Sequence, residues 1–244
     1  MSKSKRRSEF HRSRTTDNDL GSHQNERNVS RDYQPATTSV VSAHTGTNAD
    51  LIRQVCMLYL RNGYKVADVT FGLGAFWAKP TPHFVIGSDI DPNSRASICA
   101  DMRRLPYAAN FFNVVVIDPP YIHSPGFTRK KHMADRRYSN AKYTKGFYHD
   151  DIMKLYTDAM REAIRVIIPG GQVWVKCKDQ VMSGIQRWSH IDLFNIAVAL
   201  ELYARDLFVI IPSARLPHAR WTTQHHARKI HSYLWIFQKS RSHA

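Results

Sequence analysis

Asp118-Pro119-Pro120-Tyr121 puts a carboxylate, two prolines and an aromatic ring in succession. It follows the apolar run Asn113-Val114-Val115-Val116-Ile117 directly. A short β-branched run of this kind reads as a buried strand, and open α/β sheets take their ligands at the carboxyl ends of strands. The carboxylate accepts hydrogen bonds, the prolines stiffen the turn and restrict the residue before each, and the ring offers a face for stacking. Together they make a compact clamp for a planar group that carries an NH2.

A second set of residues lies upstream. Lys65-Val66-Ala67-Asp68-Val69 reads as a strand that ends near Asp68 and leads through Phe71 into Gly72-Leu73-Gly74. Small residues are needed there because the backbone must pass close beneath a ligand. The next apolar run, His83 to Ser88, closes on Asp89, a carboxylate suited to accept from both hydroxyls of a ribose. Asp101 follows in Asp101-Met102-Arg103-Arg104, just before the strand that leads to Asp118. A dinucleotide fingerprint would need a third glycine where Trp77 stands, which disfavours pyrophosphate binding.

The elements that must hold these residues alternate. Leu51, Ile52, Val55, Leu58 and Tyr59 recur at helical spacing, with Asn48 or Asp50 as cap and an end near Asn62-Gly63. A short helical stretch follows Gly74. A longer helix is expected over 151–166, then a turn at Ile168-Pro169-Gly170-Gly171, a strand over 172–177, a helix near 192–204, and strands over 207–211 and 233–237. Strands alternating with helices predict a parallel sheet covered on both faces. The last two runs leave no room for a crossover helix and should pair antiparallel.

The glycine turn, the acid of the next strand, the third acid and Asp118-Pro119-Pro120-Tyr121, in this order, resemble class I S-adenosylmethionine-dependent methyltransferases that act on exocyclic amino groups of nucleobases. The resemblance spans roughly 48–237. It implies a Rossmann-like α/β fold with a mostly parallel seven-stranded sheet and an antiparallel C-terminal edge hairpin. It also implies S-adenosylmethionine as cofactor, with no metal. Asp68, Phe71, Gly72, Gly74, Asp89 and Asp101 would bind that cofactor, Asp101 accepting from its adenine amino group. Asp118, Pro119, Pro120 and Tyr121 would form the catalytic turn, with Tyr121 stacked on the base. One departure is Thr70, which stands where many amino-methylating members carry Phe. The segment 35–50 corresponds to the part that packs over the methionine end of the cofactor. Protein glutamine methyltransferases usually begin the motif with Asn, so Asp118 argues against them.

The formal charge is +15 with a pI near 9.9, which points to a polyanionic partner. Residues 1–34 hold 8 basic and 5 acidic residues, so the excess lies mostly beyond this tail, which reads as disordered. Residues 35–244 read as one domain. Its loop over 122–150 carries Arg129, Lys130, Lys131, Arg136 and Arg137 among Phe127, Tyr138 and Tyr143, charge for phosphates and rings for bases. A second basic loop over 212–232 carries Trp221, Arg228 and Lys229. Similar Arg-Lys-x-His-x-Tyr segments precede the last strand in methyltransferases with the same tetrapeptide. Trp174, Trp188 and Trp235 read as core or edge packing, while Lys176 and Lys178 face either the pocket rim or water.

Nucleic acid is therefore the expected partner, DNA first and RNA second, the RNA reading including guanine N2. A catalytically silent nucleic-acid-binding module is the third reading. No separate recognition domain fits this length, so either the loops read a short site, a specificity partner supplies it, or the substrate is structured RNA. Cys56, Cys99 and Cys177 lack paired spacing and read as reduced core residues. The N-terminus has no signal-peptide pattern, and no run of about 18 apolar residues could span a membrane, so a cytoplasmic, soluble protein is expected.

Overall fold

The computed structural model describes residues 39–79, 81, 84–120, 149–182, 184–213 and 225–241. The tail over 1–34, Tyr121, Arg129, Lys130, Lys131, Arg136, Arg137 and Trp221 lie outside them.

Strand β2 (Lys65–Asp68) pairs parallel with β3 (Phe84–Asp89) and with β5 (Phe112–Ile117). The short β4 (Ile98–Cys99) lies beyond β3, and β6 (Ile167–Cys177) lies beyond β5, both parallel. Strand β10 (Ser232–Lys239) runs antiparallel between β6 and β9 (Leu202–Pro212). The antiparallel C-terminal pair is thus present, but it is not the edge. Residues Ala43–Gly46 form β1 parallel to β9, giving an eight-stranded sheet in the order β1-β9-β10-β6-β5-β2-β3-β4. Where seven strands were expected, the eighth comes from the segment assigned to the methionine end of the cofactor. Those four residues continue the sheet and cover the hydrogen-bonding edge that β9 would expose.

Buried strands explain the apolar runs. Val114, Val115, Val116 and Ile117 are fully buried because both faces of β5 are covered. Helices α2 (His149–Val166) and α3 (Ser189–Ala199) pack on the face that carries Val115, Ile117, Val173 and Val175. Helix α1 (Asn48–Tyr59) and the 3-10 turn Ala75–Trp77 pack on the face that carries Val114, Val116 and Trp174. Alternation along each strand sends side chains to opposite faces.

Several boundaries differ from the sequence reading for local reasons. Thr47, not Asn48 or Asp50, caps α1; Asp50 is the third residue of a capping box, its carboxylate accepting from the Thr47 N–H at 3.0 Å. The turn expected at Ile168-Pro169-Gly170-Gly171 lies inside β6: Phe112 faces Ile167 and Val114 faces Gln172, so two steps of β5 match five of β6. This is a bulge rather than a turn, with Gly170 at φ 78° supplying the left-handed conformation. Helix α3 starts and ends earlier than expected, and β9 begins already at Leu202. A hairpin of β7 (Gln180–Met182) and β8 (Ile185–Arg187) follows β6. Cys56 and Cys177 are buried as expected, whereas Cys99 is exposed on the edge strand. Among the described residues no helix is long and apolar enough to cross a membrane.

Candidate active site at the carboxyl edge of the sheet

The carboxyl ends of β3, β2, β5 and β6 lie side by side, and the singled-out residues follow that order. Asp89 ends β3, Asp68 ends β2, Asp118 follows β5, and Lys176 stands one residue before the end of β6. The register pairs Asp68 with Val116 and Ile117 with Val175, so the four ends stand at similar heights.

Asp89 pins the glycine turn. Its Oδ2 accepts from the Gly72 N–H at 2.8 Å and its Oδ1 from the Asp91 N–H at 2.8 Å. Gly72 and Gly74 have φ of 52° and 75°, where an L side chain would be strained. Phe71 does not project from this turn. Its ring lies on the backbone of Gly87 in β3, where a Cβ would meet it at 2.5 Å, and a Cβ on Gly74 would meet it at 3.1 Å. The ring clamps the turn to the sheet.

Asp68 is 3% exposed and faces inward. It accepts from the Trp77 indole N–H at 2.7 Å and from the Thr70 N–H at 3.1 Å. Burial pushes this carboxyl up to about 7, against the hydrogen bonds from Trp77 and Thr70 and with added repulsion from Asp118 and Asp89. Asp68 thus organises the turn from below, and Trp77, the residue that broke the dinucleotide fingerprint, is its partner. Asp101 stands beyond β4 with Arg103 across it, Nε donating at 2.9 and 3.0 Å and Nη2 at 2.5 Å. The guanidinium holds this carboxyl below its usual value, and a carboxylate's remaining lone pairs leave capacity for a further donor.

Asp118 stands at the centre. Its N–H donates to the Thr70 hydroxyl at 2.7 Å, which joins the Asp118-Pro119-Pro120 turn to the glycine turn. Its Oδ1 lies 3.5 Å from Lys176 Nζ, with the Asp118 side chain 20% exposed and the Lys176 side chain 4% exposed. The Lys176 ammonium also lies 5.7 Å from the Phe76 ring centroid, a cation–π contact. Pro119 is buried and Pro120 half-buried, so the turn is held on its inner side.

On the far side of Lys176, Lys178, Gln180, His226, Arg228 and Lys229 line a cleft of about 380 Å³. Arg228 and Lys229, read as nucleic-acid residues, thus share one cleft with Lys178. Trp188, read as packing, is 48% exposed, and Lys229 Nζ sits 5.3 Å from its ring centroid.

Thr70, Trp77 and Lys176 are site residues that sequence reasoning did not assign. Lys176 had a usable signal: lysine is almost never fully buried unless paired, and it interrupts the apolar strand Val173-Trp174-Val175. Trp77 and Thr70 had none, since their hydrogen bonds depend on how the turn folds back.

No protein-family model matches the chain, and no curated protein matches it in sequence. Solved structures with related folds include a SAM-dependent methyltransferase from Methanosarcina mazei, 12% identical over 75% of this chain and 95% of that one, TM-score 0.44. A proposed DNA modification methylase from Thermus thermophilus, complexed with S-adenosyl-L-methionine, is 18% identical over 59% of this chain and 55% of that one, TM-score 0.38. TrmN from Thermus thermophilus is 16% identical over 78% and 48%, TM-score 0.45. At these values the likeness carries no argument about activity, which rests on the site itself.

Proposed function

We propose that this protein is an S-adenosylmethionine-dependent methyltransferase that methylates an exocyclic amino group of a nucleobase, adenine N6 or cytosine N4 in DNA. The observation that carries this reading is the Asp118-Pro119-Pro120 turn at the end of the central strand, hydrogen-bonded through Thr70 to a glycine turn that Asp89 pins in place. The residues suit the cofactor: Asp89 to accept from the ribose hydroxyls, Asp101 to accept from the adenine amino group, and Gly72 and Gly74 for close approach of the backbone.

When bound, the cofactor supplies an electrophilic methyl group on a sulfonium. Displacement at such a carbon needs alignment more than proton transfer, and the chain supplies it. Asp118 accepts from the target NH2 and stabilises positive charge as it develops on nitrogen. The Pro119 carbonyl is a second acceptor, and Tyr121 stacks on the base. Oδ1 faces Lys176, and a carboxylate has lone pairs enough to serve both the ammonium and an amino group. A base inside a duplex cannot reach this turn, so the target is flipped or unpaired, at a cost of about a few kcal/mol.

The second reading is an RNA amino-methyltransferase, guanine N2 included, because the turn at Asp118 would take a planar ring with an amino group whichever kind of strand carries it. Labelled S-adenosylmethionine with single-stranded DNA, duplex DNA and total RNA, followed by nucleoside mass spectrometry, separates the two. Asp118-dependent methyladenine or methylcytosine in DNA is the expected result. Label in RNA alone supports the second reading, and label that survives Asp118→Ala in every pool overturns both.

A further inference from the structure

We infer that the cleft between 178–181 and 226–229 holds a backbone phosphate of single-stranded nucleic acid beside the target nucleotide, with Trp188 stacking a neighbouring base. The inference rests on the nucleobase reading of Asp118 and specifies the strand that presents the base.

The cleft of about 380 Å³ lies at the small end of ligand pockets, which run about 300–1,000 Å³. That admits a sugar–phosphate unit. Lys178, Arg228 and Lys229 bring three cations to it. Burial holds Lys178 below its usual value, and the charge of Lys176 adds to the effect; an anion in the cleft favours the ammonium against both. Asp179 also lines the cleft, with its carboxylate engaged inside the protein. It is 1% exposed, and its Oδ1 accepts from the His190 N–H at 3.3 Å and sits 2.8 Å from His190 Nδ1. Its Oδ2 accepts from the Tyr233 hydroxyl at 3.5 Å. Asp179 is therefore a brace that fixes the start of α3 and of β10 beneath the basic wall.

Position and stacking specify the ligand. Lys178 lies two residues beyond Lys176, about 7 Å along an extended chain, and Lys176 contacts Asp118. The cleft therefore follows directly on the strand end whose Lys176 contacts Asp118. Trp188 is 48% exposed and joined to the cleft through Lys229. Positive charge along a groove with an exposed ring beside it is the arrangement that binds single strands, because an unpaired base offers its face and a paired one does not.

Fluorescence anisotropy of labelled single-stranded deoxy- and ribo-oligonucleotides over a salt series tests this on the full chain without turnover. Replacing Lys178 and Arg228 together by Ala should lower the slope of log affinity against log salt by about 0.7 for each phosphate that is no longer neutralised. Trp188→Leu should weaken binding roughly 5- to 150-fold, with a much smaller loss on an oligonucleotide abasic at the stacked position. Unchanged slope in the double variant, an equal Trp188→Leu loss on the abasic strand, or equal competition by polyglutamate overturns the assignment. Circular dichroism checks that each variant is folded. Because binding is read apart from methyl transfer, a wild type that binds as described but transfers no methyl overturns the activity and leaves the cleft assignment standing. Methyl transfer with variants that bind as wild type does the reverse.

Discussion

The carboxyl edge of the sheet has two halves of opposite character. On the β2, β3, β4 side stand Asp68, Asp89 and Asp101, each already bonded within the protein, to Trp77 and Thr70, to Gly72 and Asp91, and to Arg103. On the β6, β10 side stand Lys176, Lys178, Arg228 and Lys229, the last three lining an open cleft. Asp118 lies on the border, its N–H joined to the first half through Thr70 and its carboxylate to the second through Lys176. One half presents carboxylates, which accept hydrogen bonds, and the other presents cations. On the proposed reading, cofactor and nucleic-acid strand would occupy opposite halves and meet at Asp118.

The largest effect should come from breaking the border. Asp118→Ala should lower methyl transfer by about 10²–10³-fold or more, the scale of losing one positioned group that stabilises developing charge. Affinity for cofactor, measured by calorimetry, should stay within about two-fold, since the acids proposed to hold it are elsewhere. A loss of cofactor affinity as large as the loss of rate would mean that the halves are not separate.

The acidic half should reveal itself in the pH dependence of stability. Burial raises Asp68 in the folded protein to about 7 from 3.8, so the folded state keeps a proton that the unfolded state gives up. Stability is therefore fully present below the unfolded value and falls as pH rises toward 7, by up to about 4 kcal/mol for this group. Asp68→Asn should flatten that window in thermal melts, and the difference between the two curves removes the background from other groups. Trp77→Phe deletes a hydrogen bond that lowers the value, so it should extend the window upward. Parallel curves for wild type and Asp68→Asn would show that Asp68 stays ionised.

Gly87→Ala attacks the same half through packing. A Cβ at Gly87 would lie 2.5 Å from the Phe71 ring, and overpacking of this kind costs about 1–3 kcal/mol. The ring can yield only by lifting the glycine turn, so cofactor affinity should fall while oligonucleotide affinity holds. Equal loss of both would show that the turn supports the whole edge.

How much of this division is readable in the sequence follows from its physics. Local signals identified the strands, since Val114 to Ile117 announce burial on both faces, and the glycines and Asp89 sit at strand ends. Partners set by long-range geometry were not readable. Ala43–Gly46 became a strand only because β9 offered an edge, and Trp77 met Asp68 because the turn folds back beneath the sheet. Pro169-Gly170-Gly171 carries turn residues, yet the pairing of β5 with both ends of β6 makes it a bulge. The exposure of Trp188 likewise depends on α3 beginning at Ser189, earlier than its apolar pattern indicated.

The smallest effect is the most discriminating, because it concerns the joint between the halves. Thr70 accepts the Asp118 N–H at 2.7 Å through its hydroxyl. Val has the same shape without the acceptor, so Thr70→Val leaves that N–H without this bond at a cost of about 1–3 kcal/mol. Thr70→Ser keeps the acceptor and should behave nearly as wild type. If the joint sets the register between the cofactor turn and the catalytic turn, Thr70→Val should lower kcat about ten-fold, as a shift in alignment can. The KM values for both ligands should hold, since each half keeps the groups that bind its own ligand. A rise in either KM with kcat unchanged would make Thr70 part of one half rather than the joint between them, and the division at Asp118 would have to be redrawn.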